Sequence, residues 1–541
     1  MTINKYWHTL RHLRPVQFYG RIWSKLNRPN PDMRPAPMLR SIAGLWQPAV
    51  TKPSSMTGTN AFRFLNEAGC VETTKDWNTP DKAKLWLYNL HYFDDLNAVN
   101  ASERTAWHDA LIDRWIMENP PGNGNGWEPY PTSLRIVNWI KWVLAGNEVT
   151  LQQRHSLAVQ IRYLRNRLEW HLLGNHLFAN AKALVFAGLF FEGDEAAGWR
   201  NLGLSILARE IPEQILADGG HFELSPMYHA IILEDILDLI NLAHRFPGIV
   251  SGTIVGAWRE DVNRLRAWLK VMVHPDGDIS FFNDAAFGIA GSPVEIEAYA
   301  RRLDLSSVIA PANGVTRLTD SGYVRVQQGD MVAILDLAQV GPDYLPGHAH
   351  ADTLSFEFSL RGKRVIVNSG TSVYGNGPER LRQRATASHN TVEVDGKNSS
   401  EVWGGFRVAR RAHPVGLKIH ANKGGTAIEC SHDGYCRLYG RPVHKRKWRF
   451  DAKSVAIDDT VLGDFETAIA RYYLHPNVLA KGDGIEGELS LYNGCRISWT
   501  TKGGIAKLRP STWHPEFGLE EENQCLEVTL KTSHCTTIFS W

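Results

Sequence analysis

Residues 347 to 352 read GHAHAD. Two imidazoles sit two apart, at His348 and His350, and a carboxylate follows at Asp352. Imidazole titrates near neutral pH, so such a pair can move protons or bind a metal. On a strand, residues i and i+2 face the same way; on a helix they diverge. The chemistry therefore depends on the element that carries them. Elsewhere polar residues interrupt otherwise apolar runs, which is where functional groups show themselves. "LLGNHLFANAKAL" places Asn175 and His176 at a helix start, and "DGGHFELSPMYHAII" places Glu223 and Tyr228 at the next helix entrance. In the second half, His348, His350, Asn368 ("VNSGTSVYG") and His389 ("ATASHNTVEVDG") sit at separated strand ends. Three histidines and an amide so placed could form a zinc site, although asparagine is a poorer ligand than aspartate. Each residue also has a plain structural reading. Asn175 can be an N-cap, His176 and Tyr228 can be core residues, and the other histidines can be surface or core groups without metal.

The elements that carry these residues fall into two regions of different period. From about residue 80 to 305, apolar residues recur at three and four. "SERTAWHDALIDRWIMEN", "PTSLRIVNWIKWVLAG", "TLQQRHSLAVQIRYLRNRLEWHLLG", "HLFANAKALVFAGLFF" and four later segments predict about eight helices. Short connections make neighbours antiparallel. After "SSVIAPANGVTRL" the period becomes two. A dozen or more strands follow with no helices between them, which predicts an antiparallel β-sandwich. The boundary falls near 306–318. His348 and His350 then lie just before, or at the start of, the strand "TLSFEFSL", where they can face the same way.

Composition sets outer bounds. A chain of 541 residues predicts two or three domains, and 43% hydrophobic with 21% charged residues describes an ordinary globular protein. A net charge of +2 argues against nucleic acid as a partner. Nineteen tryptophans exceed ordinary usage and can stack on sugars as well as fill a core. Five of six cysteines, Cys430, Cys436, Cys495, Cys525 and Cys535, cluster late, as disulfides or as free thiols, while Cys70 stands apart. No apolar signal core and no apolar run of 18 residues is visible, so the expected location is the cytoplasm, with the periplasm as the alternative. Residues 1–40 hold eight Lys/Arg against one Asp, interleaved with Trp7, Leu10, Phe18, Ile22 and Trp23. That is either a helix packed on the main body or an amphipathic helix making peripheral membrane contact.

The ordered set "GNHLFANAKAL", "DGGHFELSPMYH", "GHAHADTLSFEF", "VNSGTSVYG" and "SHNTVEVDG" resembles the heparinase II/III and alginate lyase superfamily of polysaccharide lyases. "GWEPYPTSLRIVNWIKW" resembles its helical domain. The resemblance spans roughly residues 80 to 480. It implies an incomplete (α/α) toroid followed by a two-sheet antiparallel β-sandwich, with the active site between them. The chain then divides into a basic helical segment (1–79) packed on the toroid, the toroid (80–310) and the sandwich (311–541). The implied substrate is an acidic polysaccharide or oligosaccharide containing uronic acid, cleaved by β-elimination. Asn175 and His176 would neutralise the carboxylate. Tyr228 would protonate the leaving oxygen, with Tyr228 or His348 as the base. Glu223, Tyr374 and Arg384 would contact substrate. The family's metal site looks like His, Asp, His. The matching residues here are His350, Asn368 and His389, holding zinc or forming a hydrogen-bonded knot. Two other classes remain open at this point. A glycoside hydrolase would need a carboxylate pair, for which Glu223 and Asp284 are the best candidates. A non-catalytic glycan-binding or assembly protein would keep only the fold.

Overall fold

The computed structural model describes residues 2–422 and 425–541. The chain begins with two helices, α1 (Thr2–Leu10) and α2 (Pro15–Leu26). An extended stretch follows, then a hairpin pairing Ala61–Phe64 with Glu67–Cys70. This hairpin departs from the helical reading of residues 1–79. Leu65 and Asn66 both take positive φ, the geometry of a tight two-residue turn whose twist matches its strands. Phe62 stacks on Phe64, and Phe64 packs edge-on against Trp86.

Nine helices follow: α3 (Lys84–Tyr92), α4 (Thr105–Glu118), α5 (Pro129–Leu144), α6 (Leu151–Arg165), α7 (Gly174–Phe190), α8 (Asp194–Gln214), α9 (Pro226–Arg245), α10 (Gly252–Met272) and α11 (Pro293–Arg302). Helices α5, α7 and α9 are buried on almost every side, as is the second half of α6 (157–164), whereas α4, α8 and α10 bury one face. A helix apolar all round belongs inside, and one with a single stripe belongs outside. The result is an inner and an outer layer of antiparallel helices, an incomplete toroid. One predicted helix is shorter than expected. The run from 150 to 174 stops at Arg165, and residues 166–173 form an irregular turn. Leu173 and Gly174 take positive φ there, which re-aims the chain so that Asn175 and His176 open α7. A leucine in that region is strained and is held by its surroundings.

The second half is a two-layer antiparallel sandwich. One layer has eight strands. The other comprises a five-stranded and a four-stranded sheet, joined where Ile366 bridges Leu474. Gly425–His432 alternates buried with half-buried positions, as expected for a strand with one face on the core. His534–Ser540 lies in the interior of the eight-stranded sheet, between Ser454–Leu462 and Arg496–Lys502. Strand Phe356–Leu360 is buried on both faces. Phe356, Phe358 and Leu360 enter the sandwich core, while Glu357 and Ser359 meet His274 of the toroid, at 2.9 and 2.8 Å. Trp268, Met272 and Leu224 pack with Tyr323, Val332 and Ile334 in a shared apolar cluster. The two domains are thus welded by a core and not joined by a loose linker.

Candidate active site

Helix α7 opens with Asn175 and His176 at the cleft between the domains. His176 Nδ1 lies 3.1 Å from Glu169, whose second oxygen accepts from Asn180 at 3.1 Å. The His176 ring lies 4.4 Å from the Tyr130 ring, and Asn175 holds the Tyr130 hydroxyl. Burial opposes charge on His176. The charge and hydrogen bond of Glu169, with Glu223 and Glu128 nearby, outweigh it and raise the pKa. The site therefore sets an imidazole whose charged form its neighbours favour beside an amide, a pair suited to a carboxylate.

Ser225 caps α9 by accepting from the Tyr228 backbone amide at 3.2 Å. The cap sets Tyr228 one turn in, facing the sandwich. Its ring stacks on His348 at 3.9 Å with only 16° between the planes. Its hydroxyl lies 2.9 Å from that of Tyr374. Burial, then the neighbouring Tyr374, pushes the Tyr228 pKa well above 10. Tyr228 is thus a proton carrier and not a resting phenolate. His348 Nδ1 is hydrogen-bonded to Glu223, which is buried. Burial raises the Glu223 pKa, but the charge and bond of His348 bring it below the ordinary value. A carboxylate at Nδ1 orients the ring, and in its neutral form places the lone pair on Nε2.

GHAHAD is a loop before strand Phe356–Leu360 and not the start of the strand itself. Its two rings therefore do not share a strand face. His348 joins Glu223 and Tyr228, while His350 joins a separate buried chain. His350 Nε2 lies 2.8 Å from Asp284, which a buried Arg380 also grips through both oxygens. His350 Nδ1 lies 3.2 Å from His389 Nε2, and His389 Nδ1 lies 3.3 Å from Asn368 Oδ1.

Three expectations change here. Arg384 is fully buried and does not reach substrate. Its guanidinium donates to the carbonyls of Ala349, Gly404 and Gly405, which clamps the GHAHAD loop from behind. Glu223 is likewise no sugar anchor, because one oxygen is spent on His348 and the other is buried. Nor does Glu223 pair with Asp284 as hydrolase carboxyls would. Asp284 is fully buried; the charge of Arg380 and the hydrogen bonds from His350 and Arg380 hold its pKa far down against burial. Tyr374 stands beside Tyr228, the two hydroxyls 2.9 Å apart.

The donor set also bears on zinc. Asp284 and Asn368 Oδ1 can only accept, so His350 must donate through Nε2 and His389 through Nδ1. The Asn368 amide orientation is fixed because its Nδ2 donates to the Phe281 carbonyl at 2.8 Å. Two lone pairs then face each other at 3.2 Å, the separation of two nitrogens on one tetrahedral ion. Asp352 has a carboxylate oxygen within 4.8 Å of both. His350, His389 and Asp352 could together hold a divalent metal, while Asn368 Oδ1 lies 3.3 Å from His389 Nδ1 and orients that ring.

Sequence reasoning passed over Tyr130, Glu169, Arg380 and Asp352 as site residues. Asp352 was legible as the close of GHAHAD. The other three are ordinary residues in sequence and gain meaning only from distant partners.

Family models for the heparinase II/III N-terminus and the heparinase II/III-like C-terminal region match residues 90–294 and 310–541. A heparin-sulfate lyase of Bacteroides stercoris is 27% identical over 385 residues, 60% of this chain and 55% of that protein. Another, from Pedobacter heparinus, is 28% identical over 256 residues, 42% of this chain and 36% of that one. The chain spans about half the length of the curated relatives it matches, or less. A crystal structure of heparinase III superposes with a TM-score of 0.69 at 18% identity, covering 87% of this chain and 79% of that one. The heparan sulfate lyase HepC of Pedobacter heparinus gives 0.56 at 17%, covering 97% and 87%. The two-layered helices, the sandwich and the two matching models together define the class: this chain belongs to the heparinase II/III-like family of polysaccharide-lyase folds.

Proposed function

We propose that the protein is a polysaccharide lyase that cleaves a uronic-acid glycan by β-elimination. The observation that carries this reading is the stack of Tyr228 on His348, which brings a toroid acid and a sandwich base into one place. Asn175 and the protonated His176 take the uronate carboxylate and stabilise the charge that develops on it. His348 Nε2 takes the C5 proton. The C5–H electron pair becomes the C4–C5 double bond, and the C4–O bond breaks. The leaving oxygen receives the Tyr228 proton. Loss of the His348 proton to solvent and uptake of one by the Tyr228 phenolate restore both groups for the next turnover. The heparin-sulfate lyases among the relatives support a glycosaminoglycan-like acidic polysaccharide as the substrate class. The test is a screen of uronate polymers read by absorbance of the unsaturated product. Reducing ends released without that absorbance would mean hydrolysis and reject the reading.

Within the same proposal, His350, His389 and Asp352 hold a zinc ion. When bound, zinc supplies a structural cross-link between the GHAHAD loop and the segment around His389. Metal analysis of protein purified without chelator tests this. Stoichiometric metal, lost in Asp352→Asn and kept in Asn368→Asp, supports it. Absence of metal in every preparation leaves only a hydrogen-bonded knot.

A further inference from the structure

Helices α1 and α2 are amphipathic the wrong way round. In α2 the faces turned to the body carry Gln17, Gly20 and Ser24, while Phe18, Tyr19, Ile22, Trp23 and Leu26 are exposed. In α1, Lys5, His8 and Thr9 are the more covered residues, and Ile3, Tyr6, Trp7 and Leu10 are exposed. Ile22 and Trp23 are 63% and 64% open, whereas Trp77, Trp86, Trp115, Trp199 and Trp268 are all but fully buried. The helices are nonetheless fixed in place. Arg14 pairs with Glu213, and Gln17 donates to the Tyr344 carbonyl at 3.0 Å. Asn27 donates to the Asn166 carbonyl at 2.7 Å, and Trp403 donates to Thr9 at 3.1 Å. An apolar face rigidly aimed at solvent calls for a partner.

Charge says which partner. Residues 1–31 contain six Lys/Arg and not one Asp or Glu. Arg11, Arg21, Lys25 and Arg28 are exposed, and none of them has a carboxylate partner among the described residues. Tryptophan and tyrosine between unpaired cations are the composition of the bilayer interface. Among the described residues no helix is long and apolar enough to cross a membrane, so α1 and α2 would lie in its surface. We infer that α1 and α2 form a docking face for an anionic lipid bilayer. The apolar residues enter the headgroup boundary, and the cations meet the lipid phosphates. The contacts of the two helices reach both domains. Their anchors include Glu213 and Asn166 of the toroid, and Tyr344 and the Trp403–Val408 hairpin of the sandwich. Phe406 in that hairpin packs near His348 and Tyr374. Docking therefore holds the cleft at a set height and angle over the lipid.

Vesicle co-sedimentation of the full chain tests this, with phosphatidylcholine alone and with phosphatidylglycerol added. The expected result is binding to the anionic vesicles at least roughly tenfold stronger than to neutral ones, weakening as salt rises. Ile22→Ser with Trp23→Ser should abolish it. Arg21→Glu with Lys25→Glu should reduce it about tenfold, with melting temperature unchanged in both. Equal or absent binding to the two vesicle types overturns the inference. So does concentration-dependent dimerisation that the Ile22→Ser, Trp23→Ser variant removes, which would assign the face to a second copy.

Discussion

In the proposed reaction Tyr228 is the residue on which the chemistry turns, because its proton would leave with the departing oxygen. Tyr228→Phe should retain the fold and lose roughly 10²–10⁴ in kcat, the usual contribution of a positioned acid. Single-turnover rates and thermal melts check this together; activity within a few-fold of the parent would remove the role. His176 gives a separate signature. Its pKa is raised by the carboxylates around it, so the charge proposed to bind uronate is lost as pH climbs through that raised value. KM should therefore rise on the alkaline side, while His176→Gln should give a higher KM that is flat over the same range. Glu223→Gln should instead alter the pH dependence of kcat, since it removes the anion at His348 Nδ1. A pH profile superimposable on the parent's would show that Glu223 only fills space.

The GHAHAD loop behaves as an element, and Arg384 is what fixes it. Three backbone carbonyls accept from that guanidinium in a site where burial, with Arg380 nearby, lowers its pKa to about 9. Arg384→Met should destabilise the protein by about 3 kcal/mol or more, because buried carbonyls lose charged donors. Denaturant melts check the size, and a loss below about 1 kcal/mol would show the clamp to be idle. This element also marks where sequence reading stops. The switch of period near residue 310 is plain, since helix and strand write their own spacing into the chain. Asn175, His176, Tyr228 and His348 stand out because they break apolar runs. The split of GHAHAD into His348 at the cleft and His350 in a structural cluster is legible too, but not that a loop before the strand carries both rings. Asp352 was passed over for Asn368 because alignment to a motif favours position over geometry. Arg384 looked like a cleft residue because nothing local reveals that its partners are carbonyls about 20 to 35 residues away. Likewise the Leu173 turn that presents Asn175 rests on a strained φ that no spacing announces.

For the whole molecule, catalysis requires both domains. A fragment ending before residue 310 carries Asn175, His176 and Tyr228 but no His348, and should form no unsaturated product. Turnover by such a fragment would refute the composite site. Acid should also separate the halves. His274 is buried against Glu357 at the interface, and burial, with Arg364 nearby, lowers its pKa. His91, His229 and His221 are buried too, lowered chiefly by desolvation to about 3, 3 and 4. A histidine depressed in the folded state stabilises it fully above its unfolded pKa of about 6.5. That contribution falls as pH drops from 6.5 toward the folded value, by about 1.4 kcal/mol per pH unit for each such group. Stability should thus fall steeply between about pH 6 and 4, and melts across that range check the slope. A flat profile would mean these rings are protonated in the native state.

The strand His534–Ser540 has a consequence in time. It fills a central slot of the eight-stranded sheet, between strands laid down some 35 to 80 residues earlier. While a ribosome is still making it, the sheet exists as two unjoined parts with bare edges. The toroid has by then been out of the exit tunnel for some two hundred residues and can already be folded. The base His348 has been synthesised too, but the scaffold beneath its loop is open. A chain made only as far as residue 533 therefore lacks the strand that joins the two parts of the sheet, and the proposed site stands on an unfinished scaffold.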